Sequence, residues 1–141
     1  MTVTNSQDLL DYIYERQKKK FPDQTREQTE RKLRGEILEL QEANRLYWMT
    51  GSKHHAEAIK FEEADVVIMA NRLYQEYQDE LAWAILSRYY NYESAKYVKA
   101  KWDIVEQRKY VKDANGNYQH EEEIKDESKM FQIQNKKPYY L

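Results

Sequence analysis

Residues Lys60 to Leu73 read KFEEADVVIMANRL, an unbroken segment without Gly or Pro. At roughly 100° per residue, Val66, Met69 and Leu73 share one side of a helix with Ala58 and Ile59 just ahead of them. Glu62 and Asp65 fall on that same side. A solvated carboxylate belongs on the opposite face, so the segment reads as a helix whose apolar stripe carries two acids that need a reason to be there.

The helical period extends in both directions. Only three Gly and two Pro punctuate the 141 residues, and apolar positions recur mostly at helical spacing. A first helix is expected from about Ser6, with Leu9, Leu10, Ile13 and Tyr14 on one face and the basic run RQKKK at its C-terminal end, where the helix dipole favours cations. FPDQT then breaks the pattern. A second helix is expected from Asp23 or Thr25 to Met49, with Leu33, Ile37, Leu40 and Tyr47 as its stripe, Gly51 as its stop and Ser52 as the N-cap of the next. The third covers about Lys53 to Tyr77. The fourth begins near Asp79 or Glu80, and its sequence allows either one continuous helix or a break around YYNYES.

Beyond Arg108 the character changes. In KYVKDANGNYQHE, Asn115-Gly116 stands between short alternating segments and reads as a β-hairpin turn. The remaining EEEIKDESKMFQIQNKKPYYL has an acidic block and an aromatic end, a composition expected to become ordered against a partner. The expected architecture is therefore all-α, a bundle of four to five helices over residues 1–110, followed at 111–141 by a hairpin and an extended tail that pack on the bundle or on another subunit.

Composition bounds the chemistry. With no Cys there is no disulfide framework, no thiolate zinc site and no thiol nucleophile. A formal net charge of −2 gives no electrostatic reason to expect a nucleic-acid binder. At 34% charged residues the chain is polar for one small globule, which favours a core completed by oligomerisation. The first residues lack the basic start and apolar run of a secretory signal, and no segment approaches the apolar length of a membrane span. A soluble, cytoplasmic protein is expected.

The second helix contains RGEILELQEA, in which Glu36 and Glu39 lie three residues, and so about 60°, apart. Both sit on one flank of the Leu33, Ile37 and Leu40 stripe, while Glu42 points away. The third helix repeats the arrangement with Glu62 and Asp65, with Glu63 turned aside. Antiparallel packing of the two helices through their stripes would bring four acids into one cleft. Each pair alone ordinarily marks a solvated face or an ion-pair partner. Together, desolvated and mutually repelling, the four need protons or cations, and Mg²⁺ or Mn²⁺ suits an all-oxygen donor set and phosphate chemistry.

KLRGEILELQEA, followed after 22 residues beyond Glu39 by EEADVVIMANRL, resembles the MazG-like branch of the all-α nucleoside triphosphate pyrophosphohydrolases, whose hallmark is Glu-Glu-x-x-Glu, a spacer, then Glu-x-x-Asp. The resemblance covers about Thr25 to Tyr110. TREQTERKL is similar to the family's lead-in, and AKWDIVEQRKY resembles the Lys-x-x-x-Asn-x-x-Arg element of its last helix. Gly35 replaces the first, non-ligating Glu, and Val105 stands where that last element usually has Asn; Lys101 and Arg108 match. The resemblance implies a Mg²⁺-dependent cleavage between the α and β phosphates of an NTP or dNTP, giving a monophosphate and pyrophosphate. It implies Glu36, Glu39, Glu62 and Asp65 as metal ligands, with Glu39 or Glu36 polarising the attacking water, and Lys101 and Arg108 steadying the leaving pyrophosphate. It also implies a homodimer or homotetramer.

Other residues carry two readings each. Trp48, with Tyr47, would stack on a base and Asn71 would hydrogen-bond to one; core or subunit packing is the ordinary alternative. His54 and His55 read as surface histidines at the start of the third helix, with a remote metal or phosphate role as the alternative, and Lys53 is a lone loop lysine. RYYNYESAKYVKAKW interleaves aromatic and basic residues as single-strand nucleic-acid platforms do, against a reading as subunit packing. The hairpin is expected to cover the active site or a neighbouring subunit. The competing function is a catalytically inactive helical interaction protein that keeps the fold; a weaker third is a nucleic-acid-associated helical protein using the Tyr/Lys face.

Overall fold

A computed structural model describes residues 6–121; the expectation of an extended tail lies, from residue 122 onward, outside the described residues. Five helices and one hairpin follow in order: α1 (Ser6–Lys20), α2 (Arg26–Thr50), α3 (Lys53–Tyr77), α4 (Glu80–Tyr89), α5 (Ala95–Gln107), β1 (Tyr110–Lys112) and β2 (Tyr118–His120). The architecture is predominantly helical, as expected, with a two-stranded antiparallel sheet near the C-terminus.

Local chemistry sets most of the helix ends. Thr25 caps α2 through a reciprocal capping box: its hydroxyl accepts from the Gln28 N–H at 3.1 Å while the Gln28 side chain accepts from the Thr25 N–H at 2.9 Å. Gly51 ends the helix in the left-handed region, φ 63°, donating its N–H to the Tyr47 carbonyl at 2.7 Å. Ser52 follows at once as N-cap of α3, accepting from the His55 N–H. Asp79 caps α4 through the Ala82 N–H and also pairs with Arg26 at 2.9 Å, tying the start of α4 to the start of α2. Of the two expectations for the fourth helix, the break is the one found. Asn91 and Ser94 bond reciprocally, each side chain accepting from the other's backbone N–H, and the chain restarts as α5.

The two-residue connection Gly51-Ser52 folds α2 back against α3, and α3 is the hub, packing on α1, α2, α4 and α5. Its Ala64, Val66, Val67, Ile68, Ala70 and Leu73 are buried against Leu33 and Leu40 of α2, Leu9, Leu10 and Ile13 of α1, Ala82 and Leu86 of α4, and the fully buried Val98 and Trp102 of α5. Two polar side chains of α3 fix α1 and its loop. Asn71 donates its amide to the Leu10 carbonyl at 2.9 Å, and Arg72 donates to the Phe21 carbonyl at 3.0 Å.

The hairpin registers Tyr110 opposite His120 and Lys112 opposite Tyr118. Its loop differs from a two-residue Asn-Gly turn. Asp113 and Asn117 close it, Gly116 donates to the Asp113 carbonyl, and Gly116 takes φ 80°, the three-residue pattern of a type I turn followed by a left-handed residue. The Asp113 carboxylate accepts from the Asn115 and Asn117 N–H groups, which lowers its pKa. So short a sheet has little stability alone. It is held on the bundle by Lys32, which donates to the Tyr118 carbonyl at 2.9 Å, and by Phe21, edge-on to Tyr110 and Tyr118.

Candidate functional site

Where α2 and α3 face each other, Glu36, Glu39, Glu62 and Asp65 line one cleft of about 560 Å³. Carboxylate oxygens of Glu36, Glu62 and Asp65 lie within 4.8 Å of one another. Glu39, one turn beyond Glu36 and more exposed, stands close enough to Glu36 and Glu62 to raise both their pKa values. The remaining acids of the two motifs turn away: Glu42 pairs with Arg45, and Glu63 lies 4.0 Å from Lys60.

Crowding and burial have a marked electrostatic effect. Glu36 is pushed up to about 9, first by loss of water and then by the charges of Asp65, Glu39 and Glu62. Glu62 rises to about 7 from burial, Asp65 and Glu39, against the opposing pull of Lys101. Asp65 rises to about 6 from burial, moderated by Lys101, whose ammonium lies 3.3 Å from its carboxylate, and by Arg108. One oxygen of Glu36 and one of Glu62 are buried without a hydrogen-bond partner. Such oxygens are costly unless a proton or a cation meets them.

Lys101 comes from α5, and Arg108 is the residue that caps it; both line the cleft with the acids, as does Val105, and Lys101 pairs directly with Asp65. The acids of two helices and the cations of a third element therefore meet at one place, as the sequence spacing alone did not require.

Two sequence candidates lie elsewhere. Asn71 is 1% exposed with its amide engaged by Leu10, so it serves the core and does not face the cleft. Trp48 is 88% exposed near the end of α2 and is not part of the cleft wall. His55, expected at the surface, is fully buried: its Nδ1 sits 2.6 Å from the Thr50 hydroxyl and 2.9 Å from that of Ser52, closing the α2–α3 turn. The Tyr-rich run does not form one aromatic platform. Trp102 is buried, the Tyr90 hydroxyl donates to the Ser6 carbonyl, Tyr97 stacks edge-on with Phe61, and Tyr92 is exposed.

The cleft also holds residues that the sequence did not single out. Gln17 and Phe21 from α1 and its loop, Lys32 from α2, and Tyr110, Tyr118 and His120 from the hairpin complete its wall. Gln17 alone left a signal: four residues after Ile13, it continues the apolar stripe of α1 as an amide. Tyr110, Tyr118 and His120 reach the cleft through the docking of the hairpin, which no local pattern encodes.

Comparison with family models, with curated proteins and with solved structures returns no match for this chain.

Proposed function

We propose that the protein is a divalent-metal-dependent nucleotide pyrophosphohydrolase of the MazG-like kind, hydrolysing an NTP or dNTP between the α and β phosphates. The observation that carries this reading is the convergence of Glu36, Glu39, Glu62 and Asp65 in one cleft with Lys101 and Arg108. The donor set fits the metal it would need. All four candidate ligands are oxygen donors, as Mg²⁺ and Mn²⁺ prefer, and the buried oxygens of Glu36 and Glu62 that lack a hydrogen-bond partner are ones a cation would satisfy.

When bound, Mg²⁺ supplies charge neutralisation for the triphosphate and lowers the pKa of water. The chain's own residues do the rest. Glu39, the most solvent-open of the four, accepts the proton of the attacking water, whose oxygen bonds to phosphorus as the bridging P–O bond breaks. Lys101 and Arg108 stabilise the negative charge that collects on the departing pyrophosphate. In this reading Glu36, Glu62 and Asp65 would hold the ion and Glu39 would combine ligation with proton acceptance.

Val105, apolar in the cleft wall where the resembled element carries Asn, is the feature that favours the competing reading of an inactive helical interaction protein. Pyrophosphate release decides between them. A panel of NTPs and dNTPs with Mg²⁺ or Mn²⁺ should give turnover that is lost with EDTA and reduced at least about 100-fold by Glu39→Gln. No turnover by folded protein would reject the hydrolase and favour the interaction protein.

A further inference from the structure

Gln17 is 0% exposed, lies in the wall of the acidic cleft, and has neither its amide nitrogen nor its amide oxygen hydrogen-bonded. Nearby Gln24 shows the contrast: it is also buried, and its amide donates to the Thr29 hydroxyl at 2.9 Å. A buried amide with both halves unmet is disfavoured in a finished core. It becomes intelligible when a ligand supplies an acceptor and a donor side by side.

The surroundings of Gln17 narrow that ligand. The same cleft is walled by Phe21, whose ring lies edge-on to Tyr110 at 4.8 Å and to Tyr118 at 5.0 Å, with His120 beyond at 6.2 Å from Tyr110. Planar rings and an unmet amide in the wall of one cleft are the groups that would recognise a flat heterocycle able to stack on a ring and present an adjacent donor and acceptor at its edge, which is the pattern of a nucleobase. The acidic and cationic groups occupy the α2, α3 and α5 walls of the same cleft. The aromatic and amide groups belong to α1, its loop and the hairpin.

We propose that Gln17, with Phe21, Tyr110 and Tyr118, forms a nucleobase subsite, so that the C-terminal hairpin helps to choose the base of the nucleotide whose phosphates meet the acids. The proposal rests on the nucleotide reading of the cleft. The Gln17 amide is covered from bulk water, so base entry requires the rings to part. The hairpin, with strands of three residues held by Lys32, Gln28, Phe21, the Lys112–Asp23 ion pair and Lys20 over the Tyr110 ring, is the shortest element in the cleft wall and the one we assign to yield. Closure on the base then gives the amide its two partners.

Calorimetric titration tests this, with Ca²⁺ replacing Mg²⁺ to suppress turnover and with dATP, dCTP, dGTP, dTTP, the four deoxynucleosides and inorganic tripolyphosphate as probes. The wild-type chain should bind at least one dNTP about 10- to 100-fold more tightly than the least favoured one and than tripolyphosphate. Gln17→Leu should erase the preference among bases and leave tripolyphosphate affinity unchanged. Equal binding of all four dNTPs by wild type, or a preference that survives Gln17→Leu, overturns the subsite. Where Gln17→Leu does not fold, Tyr118→Leu carries the test: it should weaken dNTP and deoxynucleoside binding and leave tripolyphosphate affinity unchanged, and unweakened dNTP binding overturns the subsite. The two readings fail separately: a Gln17-dependent preference among dNTPs or deoxynucleosides without pyrophosphate release in Mg²⁺ rejects the hydrolase and keeps the subsite, whereas pyrophosphate release indifferent to base and to Gln17 rejects the subsite alone.

Discussion

Replacing Glu36 with glutamine should stabilise the metal-free protein at alkaline pH and leave it almost unchanged in acid. The Glu36 carboxyl is raised from 4.5 to about 9, chiefly by burial and then by Asp65, Glu39 and Glu62. Between those limits the folded chain retains a proton that the unfolded chain has released, so folding stability falls as pH rises through that window, by at most about 1.4 kcal/mol per pH unit. Water in the open cleft and the linked titration of neighbouring acids reduce the sum, leaving about 2–3 kcal/mol near pH 8. Glutamine keeps the shape and carries no charge, so it escapes the penalty. For a chain of this size the gain corresponds to a rise in Tm on the order of 10 °C.

Thermal unfolding followed by far-ultraviolet circular dichroism in EDTA, at pH 4.5 and pH 8, reads the effect directly. Millimolar Mg²⁺ or Mn²⁺ at pH 8 should raise the wild-type Tm, because a cation bound to the folded cluster alone stabilises it, and should raise that of Glu36→Gln much less. A variant that melts lower than wild type at pH 8 would refute the account. The four acids would then be a satisfied hydrogen-bond network and not a set of charges in need of a counter-ion.

Lys101→Met removes the largest influence lowering Asp65 and the one that lowers Glu62, so both carboxyls should titrate at higher pH; the acid limb of the pH–rate profile for pyrophosphate release should move to higher pH with a loss of about 100-fold in kcat, and an unshifted limb would separate Lys101 from the cluster. Gly51→Ala places a side chain at φ 63° and should cost about 1 kcal/mol, seen as a Tm some 4 °C lower with catalysis intact, since Gly51 lies outside the cleft wall; an unchanged Tm would show that the cap tolerates a left-handed alanine.

What was legible in the sequence was what short-range physics controls. The stop at Gly51, the Ser52 cap and the bounds of α3 follow from hydrogen bonds within four residues, and each lies where the chain pattern put it; of the two starts the pattern allowed for α2, Asp23 and Thr25, the capping box selects Thr25. The two acid pairs were visible for a similar reason: helical period alone sets Glu36 beside Glu39 and Glu62 beside Asp65. Asn71 carried two readings, a base contact and core packing, and the docking of α1, whose Leu10 carbonyl claims its amide, decided for the core. Trp48 looked like a stacking platform, and the direction of α2 carried it away from the cleft.

Tertiary structure alone decided what the acids face. Lys101 and Arg108 meet them because α5 packs on α3 after the Asn91–Ser94 break, and the hairpin closes one wall because Phe21 and Lys32 hold it there. Those contacts join residues as far apart in the chain as Phe21 and Tyr118, and no periodicity in one segment reports on the burial of another. The same holds for electrostatics: each glutamate is ordinary in its own helix, and the high pKa of Glu36 arises only where two helices and their charges are brought together out of water.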